Sequence, residues 1–343
     1  MTDFCIFRRQ IWNVGMLLKK ICLLTVVILG ISVGNQSYAQ YFNSRNGYWK
    51  NERHAFGFGV GAINFLGELG GRDQIGTDFI NDLELSETRP NLMINYRYQL
   101  GRRFFARAQY TFGIIGGNDV LTEEIFRRNR NLHFRSTIHE ISLQMEANIL
   151  DFAKKNLYDR DIKQSKLAGS SLYVTAGVGL TRFNPEANFN GDWYKLRALG
   201  TEGQLQDDGP EPYSLYTVVI PVGIGFRIDL NRQWNIGLEV AHRLTFTDYI
   251  DDVSTVYYDN DVISQNQGQL AAYFADPSLG YYVDEAGNQQ PLNSTETGLQ
   301  RGDPNDNDAY LYAMLTTTYK ISQRRFKRTK GRVTKRRTRR VLF

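Results

Sequence analysis

The chain has 343 residues, 41 Lys and Arg against 36 Asp and Glu, and 20 Tyr, 20 Phe and 4 Trp beside 31 Gly and 8 Pro. Aromatic residues in that number exclude a disordered chain, and a mean hydropathy of −0.41 excludes a bundle of membrane-spanning helices while leaving open a membrane β-barrel, whose strands alternate apolar with polar residues. The charge of +5 belongs to the ends: residues 1–39 carry +3 and residues 323–343 hold eleven Lys or Arg and no acid, which leaves −9 for residues 40–322. A chain with so acidic a body is not read as a nucleic-acid binder.

In chain order, the first element is an export signal over residues 1–39. Lys19 and Lys20 precede an apolar stretch from Ile21 to Val33, and Ser37-Tyr38-Ala39 supplies the small residues of a cleavage site before Gln40. The stretch is shorter than the roughly 20 residues a spanning helix needs. Met16, followed by Leu17, Leu18 and the two lysines, is an alternative start. Both cysteines, Cys5 and Cys22, fall in this segment, so the exported chain has no disulfide or thiolate site. Residues 40–52 then read as a periplasmic N-terminal segment.

Eight stretches of period-two alternation follow within residues 53–322. They begin with Phe56, Phe58, Val60 and Ala62 against three glycines, and with Leu92 to Leu100, where Leu92, Ile94, Tyr96 and Tyr98 oppose Met93, Asn95, Arg97 and Gln99. A tight turn at residues 101–103 leads to Phe104, Ala106, Ala108 and Tyr110 against Arg107, Gln109 and Thr111. The remaining five run through Ile141–Ile149, Leu172–Leu180, Val218–Ile228, Trp234–Phe246 and Tyr310–Ile321. An even count of strands, inner turns near 101–103, 230–233 and, unusually long, 151–170, and outer loops over 67–89, 115–133, 184–214 and 247–309 predict an all-β fold. That fold is an eight-stranded antiparallel transmembrane outer-membrane β-barrel with long extracellular loops and periplasmic termini. Aromatic residues near strand ends (Tyr96, Tyr98, Trp234, Phe246, Tyr319) fit interface girdles.

Eight strands enclose a space that side chains fill. The inward parity puts Arg97, Arg107, Glu140, Glu146, Arg227, Glu239 and Arg243 there, a set expected to pair and plug the barrel. A porin is therefore not expected.

Other chemistry is thin, and no cofactor site is expected. Gly30-Ile31-Ser32-Val33-Gly34 matches a nucleophile-elbow pattern but lies in the removed segment with no strand before it. Asp303 to Asp308 resembles the start of a calcium loop, yet the sixth position is Asp rather than Gly and the twelfth is Met314 rather than Glu. A second arrangement, Asp248, Asp251, Asp252, Asp259 and Asp261, is a candidate for weak calcium binding at the outer loops, against the simpler reading that these acids are solvated. Of His54, His133, His139 and His242, no two have helical metal-ligand spacing. A rim histidine with Ser136 or Ser254 would make a lipid-modifying enzyme, an alternative that no elbow supports; a general small-barrel surface protein is another. The candidate partner contacts on the inner side are Lys154, Lys155, Lys163 and Lys166 in the 151–170 turn and Arg324, Arg325, Lys327, Arg328, Lys335, Arg336 and Arg337 in the tail, which suit anionic surfaces and lipid.

The outer-loop residues add a resemblance. Phe183-Asn184-Pro185, the run Trp193 to Gln204 with Thr201-Glu202-Gly203-Gln204 at its end, Thr245 to Thr255 with Asp248, Asp251 and Asp252, and Gln300-Arg301-Gly302-Asp303-Pro304 resemble segments of the PorG family of the type IX secretion system. The opening resembles it too, in Phe65-Leu66-Gly67-Glu68-Leu69-Gly70-Gly71 followed by Arg89-Pro90-Asn91-Leu92. These matches lie in order and cover nearly all of residues 53–322. The resemblance implies a non-enzymatic outer-membrane barrel associated with the periplasmic ring of PorK and PorN, in a machine that exports proteins bearing a C-terminal sorting domain. The tail, residues 323–343, is not part of the pattern.

Overall fold

The computed structural model describes residues 53–69, 87–122, 124–152, 169–231, 233–284 and 287–321. The expected signal peptide, residues 40–52, the lysines at 154, 155, 163 and 166, and the tail from residue 323 lie outside the described residues.

Eight long strands form the barrel: β1 (His54–Leu66), β2 (Arg89–Gln99), β3 (Phe104–Asn118), β4 (His133–Phe152), β5 (Ser170–Arg182), β8 (Tyr216–Asp229), β9 (Trp234–Thr245) and β12 (Ala309–Ile321). Each pairs antiparallel with the next, and β1 pairs with β12 from His54↔Ile321 to Leu66↔Ala309, which closes the ring. Closure leaves none of these eight strands with an open edge, as lipid requires. The first and last strands meet at the end where the short turns lie. At one of these turns Asn231 Oδ1 accepts the amides of Gln233 and Trp234, both at 2.8 Å, and so fixes the β8–β9 hairpin.

The alternation settles which way each strand faces. Outward side chains are exposed: Ile141 and Leu143 at 66%, Val178 at 61% and Leu315 at 57%. A continuous belt of this kind is far larger than a water-soluble surface carries, and it matches the lipid-facing band of a membrane barrel. On β4 the apolar outward run from Ile141 to Ile149 has the roughly 9–11 residues of a tilted spanning strand. A register shift between Asn148 and Leu150 turns both Ile149 and Leu150 outward at its end. Aromatic rings gather at the turn end, with Trp234 4.9 Å from Tyr319 and Tyr96 beside Phe56 and His54.

The other end departs from the expected loops. Strands β3 and β4 continue into the stretch read as a loop at 115–133. A hairpin, β6 (Pro185–Phe189) and β7 (Asp192–Lys195), extends the sheet by pairing with β4 at Arg135↔Glu186. The last long connection holds helices α2 (Asn260–Gln267) and α3 (Gln269–Ala275) and a small hairpin, β10 (Tyr281–Val283) with β11 (Gln289–Pro291). The cause is apolar packing: Ile115, Leu132, Phe134, Phe183, Leu196, Ile250, Val253 and Phe274 form a core there, above the polar lumen. The loop end is therefore a built cap.

Inward glycines give large side chains room. Gly225 on β8 faces Tyr173 on β5, and a Cβ there would lie 2.2 Å from the ring carbon Cζ. That ring cannot swing away freely, because its hydroxyl donates to Glu239 Oε2 at 2.9 Å. Gly225→Ala is expected to cost about 1–3 kcal/mol in urea unfolding of the lipid-reconstituted barrel. Gly101→Ala, with nothing within 4 Å of the added carbon, should leave the midpoint unchanged.

Candidate functional site

Inside the barrel, the seven charged residues singled out by strand parity lie between 0% and 6% exposed. They form three groups stacked from the turn end upward. Glu146 takes Arg227 (2.9 Å) and Arg97 (3.6 Å). Next, Arg107 clasps Glu239 with both terminal nitrogens, at 2.6 and 2.8 Å, and reaches Gln144 at 2.5 Å. Uppermost, Arg243 holds Glu140 through Nε (2.9 Å) and Nη2 (3.2 Å). Tyrosines tie the groups together: Tyr173 and Tyr312 donate to Glu239, and Tyr310 donates to Glu140. The Arg243 guanidinium also lies 4.1 Å from the Tyr312 ring centroid. Among these seven, four arginines face three glutamates, so one positive charge is in excess where Arg97 and Arg227 share Glu146. Charge-assisted pairs at this density occupy the lumen that a channel would need.

The cap holds a second polar network that sequence reading did not assemble. Glu202, 1% exposed, accepts the Ser254 amide at 2.9 Å, the Thr255 amide at 3.2 Å, the Thr255 hydroxyl at 2.7 Å and Arg301 Nη1 at 2.9 Å. Asp252, in the left-handed region at φ 70°, accepts hydroxyls from Thr201 and Tyr213, both at 2.5 Å. Burial pushes the Asp252 carboxyl up to about 6, against the lowering pull of Arg301. Arg130, at the end of α1 (Ile125–Arg130), grips the buried Asp119 and donates to the backbone oxygens of Glu68 and Arg301. Glu202, Arg301 and Glu68 stand inside the loop segments quoted above, so charged residues within those segments were the available signal. Asp119 and Arg130 carried none.

The five aspartates weighed for calcium do not form one group. Asp259 caps α2 by accepting the Asp261 and Val262 amides, and Asp252 is committed as described. Among the described residues no three His, Cys, Asp or Glu side chains are placed to hold a metal. Nor are the first three of those aspartates solvated: Asp248, Asp251 and Asp252 are 5%, 1% and 1% exposed, because the connections around them fold onto the cap core. The two candidate nucleophiles are also enclosed, Ser136 at 0% and Ser254 at 2% exposure.

A closed antiparallel barrel with an apolar outer belt and a lumen packed with ion pairs defines a membrane-spanning eight-stranded barrel of the outer-membrane type. The chain belongs to the family described as a domain of unknown function (DUF6089), whose model matches residues 45–272. Among solved structures it is similar to neisserial surface protein A, at 7% identity over 78% of this chain and 96% of that one, with a TM-score of 0.35. It is likewise similar to the attachment invasion locus protein Ail of Yersinia pestis (8%, 79% and 99%, TM-score 0.33) and to the outer membrane protein OprG of Pseudomonas aeruginosa (9%, 79% and 98%, TM-score 0.31). No curated protein matches the sequence.

Proposed function

We propose that this protein is a non-enzymatic outer-membrane component of the type IX protein secretion system that associates with the periplasmic PorK and PorN ring and anchors or coordinates it. The observation that carries the reading is where the PorG-like segments fall. Residues from four of them, remote in sequence, meet in the cap: Glu202 with Arg301, Thr201 with Asp252, the Leu69 amide with Asp251 and the Asp303 amide with Glu68. Segments that resemble one family and also build one cap support a shared architecture better than separate chance matches do. A blocked lumen further favours a role in assembly over conduction.

In this reading the termini and short turns are periplasmic and the cap is extracellular. The inner turn with Lys154, Lys155, Lys163 and Lys166 and the basic tail then face the ring. The test is to isolate the tagged protein from outer membranes in mild detergent after light crosslinking. Recovery of PorK and PorN, reduced when residues 323–343 are deleted or those four lysines are neutralised, is the expected result. Recovery of the barrel alone, from preparations in which the ring itself survives, would overturn the assignment.

A further inference from the structure

Four carboxyl groups meet in the cap without cations of their own. Asp308, just before β12, accepts the Ile250 amide with Oδ2 (2.8 Å) and leaves Oδ1 buried without a partner. Asp251 accepts the amides of Val253 (3.0 Å) and Leu69 (3.2 Å). Asp248 is 5% exposed, accepts no backbone amide, and has the Ser254 hydroxyl beside it as its donor. Glu68 accepts the Asp303 amide with Oε1, while its Oε2 is buried and bare.

The charged and titratable groups facing this cluster are Arg130, Glu202, Asp303 and Tyr249, and Arg127 donates to the Glu68 backbone oxygen at 2.7 Å. Arg130 is already bound by Asp119, and Glu202 is bound by Arg301. Four like charges, three of them on buried residues, served only by a share of two guanidiniums that Asp119 already holds are not sustainable. Burial first, then Asp251, pushes Asp248 up to about 9. Burial, then Asp251 and Asp248, holds Asp308 well above the carboxylate range. Burial and Glu68 raise Asp251 against its two amides, and burial lifts Glu68 to about 7 against the Asp303 amide and Arg130. Protons on these groups supply the donors that the bare oxygens lack.

We propose that the cap is fastened by a proton-held clasp: the carboxyls of Glu68, Asp248, Asp251 and Asp308, kept protonated, join the end of β1, the segment after β9 and the start of β12, and the clasp loosens when alkaline pH removes those protons. The sign follows from linkage. A carboxyl whose pKa is higher in the closed cap than in the open one binds protons more tightly when closed. Closure is therefore strongest below the open-state range near about 4. It weakens as pH rises, and the loss is complete once pH passes about 7 for Glu68 and about 9 for Asp248. The clasp is independent of the secretion reading and is tested on the isolated protein.

Amide hydrogen exchange on the full chain in lipid nanodiscs, from about pH 5.5 to 9.5 and corrected for the chemical rate at each pH, reads the clasp directly. Peptides covering 247–256 and 301–310 should lose at least about tenfold in protection across that range, the equivalent of one unit of linkage, while barrel strands hold theirs. Asp248→Asn and Asp308→Asn cannot ionise and should keep the cap protected at high pH. If Asp308→Asn fails to fold, Asp248→Asn, whose side chain accepts no backbone amide, suffices. Wild-type protection that does not fall, or that falls equally in the Asn variants, overturns the clasp. So does protection restored at high pH by calcium chloride in the wild type alone, which would assign the carboxyls to a cation.

Discussion

Arg243→Ala should destabilise the barrel by about 3–5 kcal/mol, the usual consequence of stranding one partner of a buried ion pair. Arg243 and Glu140 are both 0% exposed, and the mutation leaves the Glu140 carboxylate in the lumen with the neutral Tyr310 and Ser142 hydroxyls as donors and no cation. Removing both charges is a different experiment. In Arg243→Met with Glu140→Leu no bare carboxylate remains; Tyr310 keeps its bond to Thr181 (2.9 Å) and Tyr312 its bond from Gln109 (3.0 Å). The double variant should therefore recover most of the loss, since apolar replacements of similar volume are often neutral. Arg135 and Glu186 are the contrast: their side chains are 39% and 25% exposed, and Arg135→Ala should cost less than about 1 kcal/mol. Urea unfolding in lipid vesicles, followed by the gel-mobility difference between folded and unfolded barrel, separates the three. Equal losses in the single and double variants would mean that the pair itself, and not the stranded charge, carries the energy.

The barrel was legible because its information is local. A period of two assigns each side chain to lipid or lumen without reference to any other strand. Arg97, Arg107, Arg227 and Arg243 were accordingly placed on the inner wall from their own neighbours in sequence. Pairing partners were not so available: Arg107 meets Glu239 and Arg243 meets Glu140 across the lumen, and register and barrel closure decide those matches. The cap was least legible. Its bonds join Leu69 to Asp251 and Glu202 to Arg301, contacts that no period announces, and the burial of Asp248, Asp251 and Asp252 depends wholly on what other segments fold over them. One feature of the cap does carry a local signal. Asn190-Gly191, both with positive φ (53° and 96°), is the dipeptide of a tight hairpin turn, and it joins β6 to β7 in a stretch read as loop.

Glu202→Ala is the substitution with the largest expected effect outside the membrane. It removes the acceptor of two backbone amides, a hydroxyl and Arg301 at once, and leaves the 1%-exposed Arg301 side chain with its bond to the Asp252 carbonyl (2.7 Å). The cost should again be about 3–5 kcal/mol. Its location differs from that of Arg243→Ala: Glu202 sits in the connections above the barrel strands, and segments of that kind can open locally. The expected result is fast proteolytic cleavage between residues 247 and 309 with the urea midpoint of the barrel nearly unchanged. Glu202→Gln keeps an acceptor oxygen but drops the charge opposite Arg301, and should fall between wild type and Ala. If cleavage and barrel unfolding instead shift together, the cap and the barrel form one cooperative unit. The cap network would then act on barrel stability as directly as the lumen pairs do.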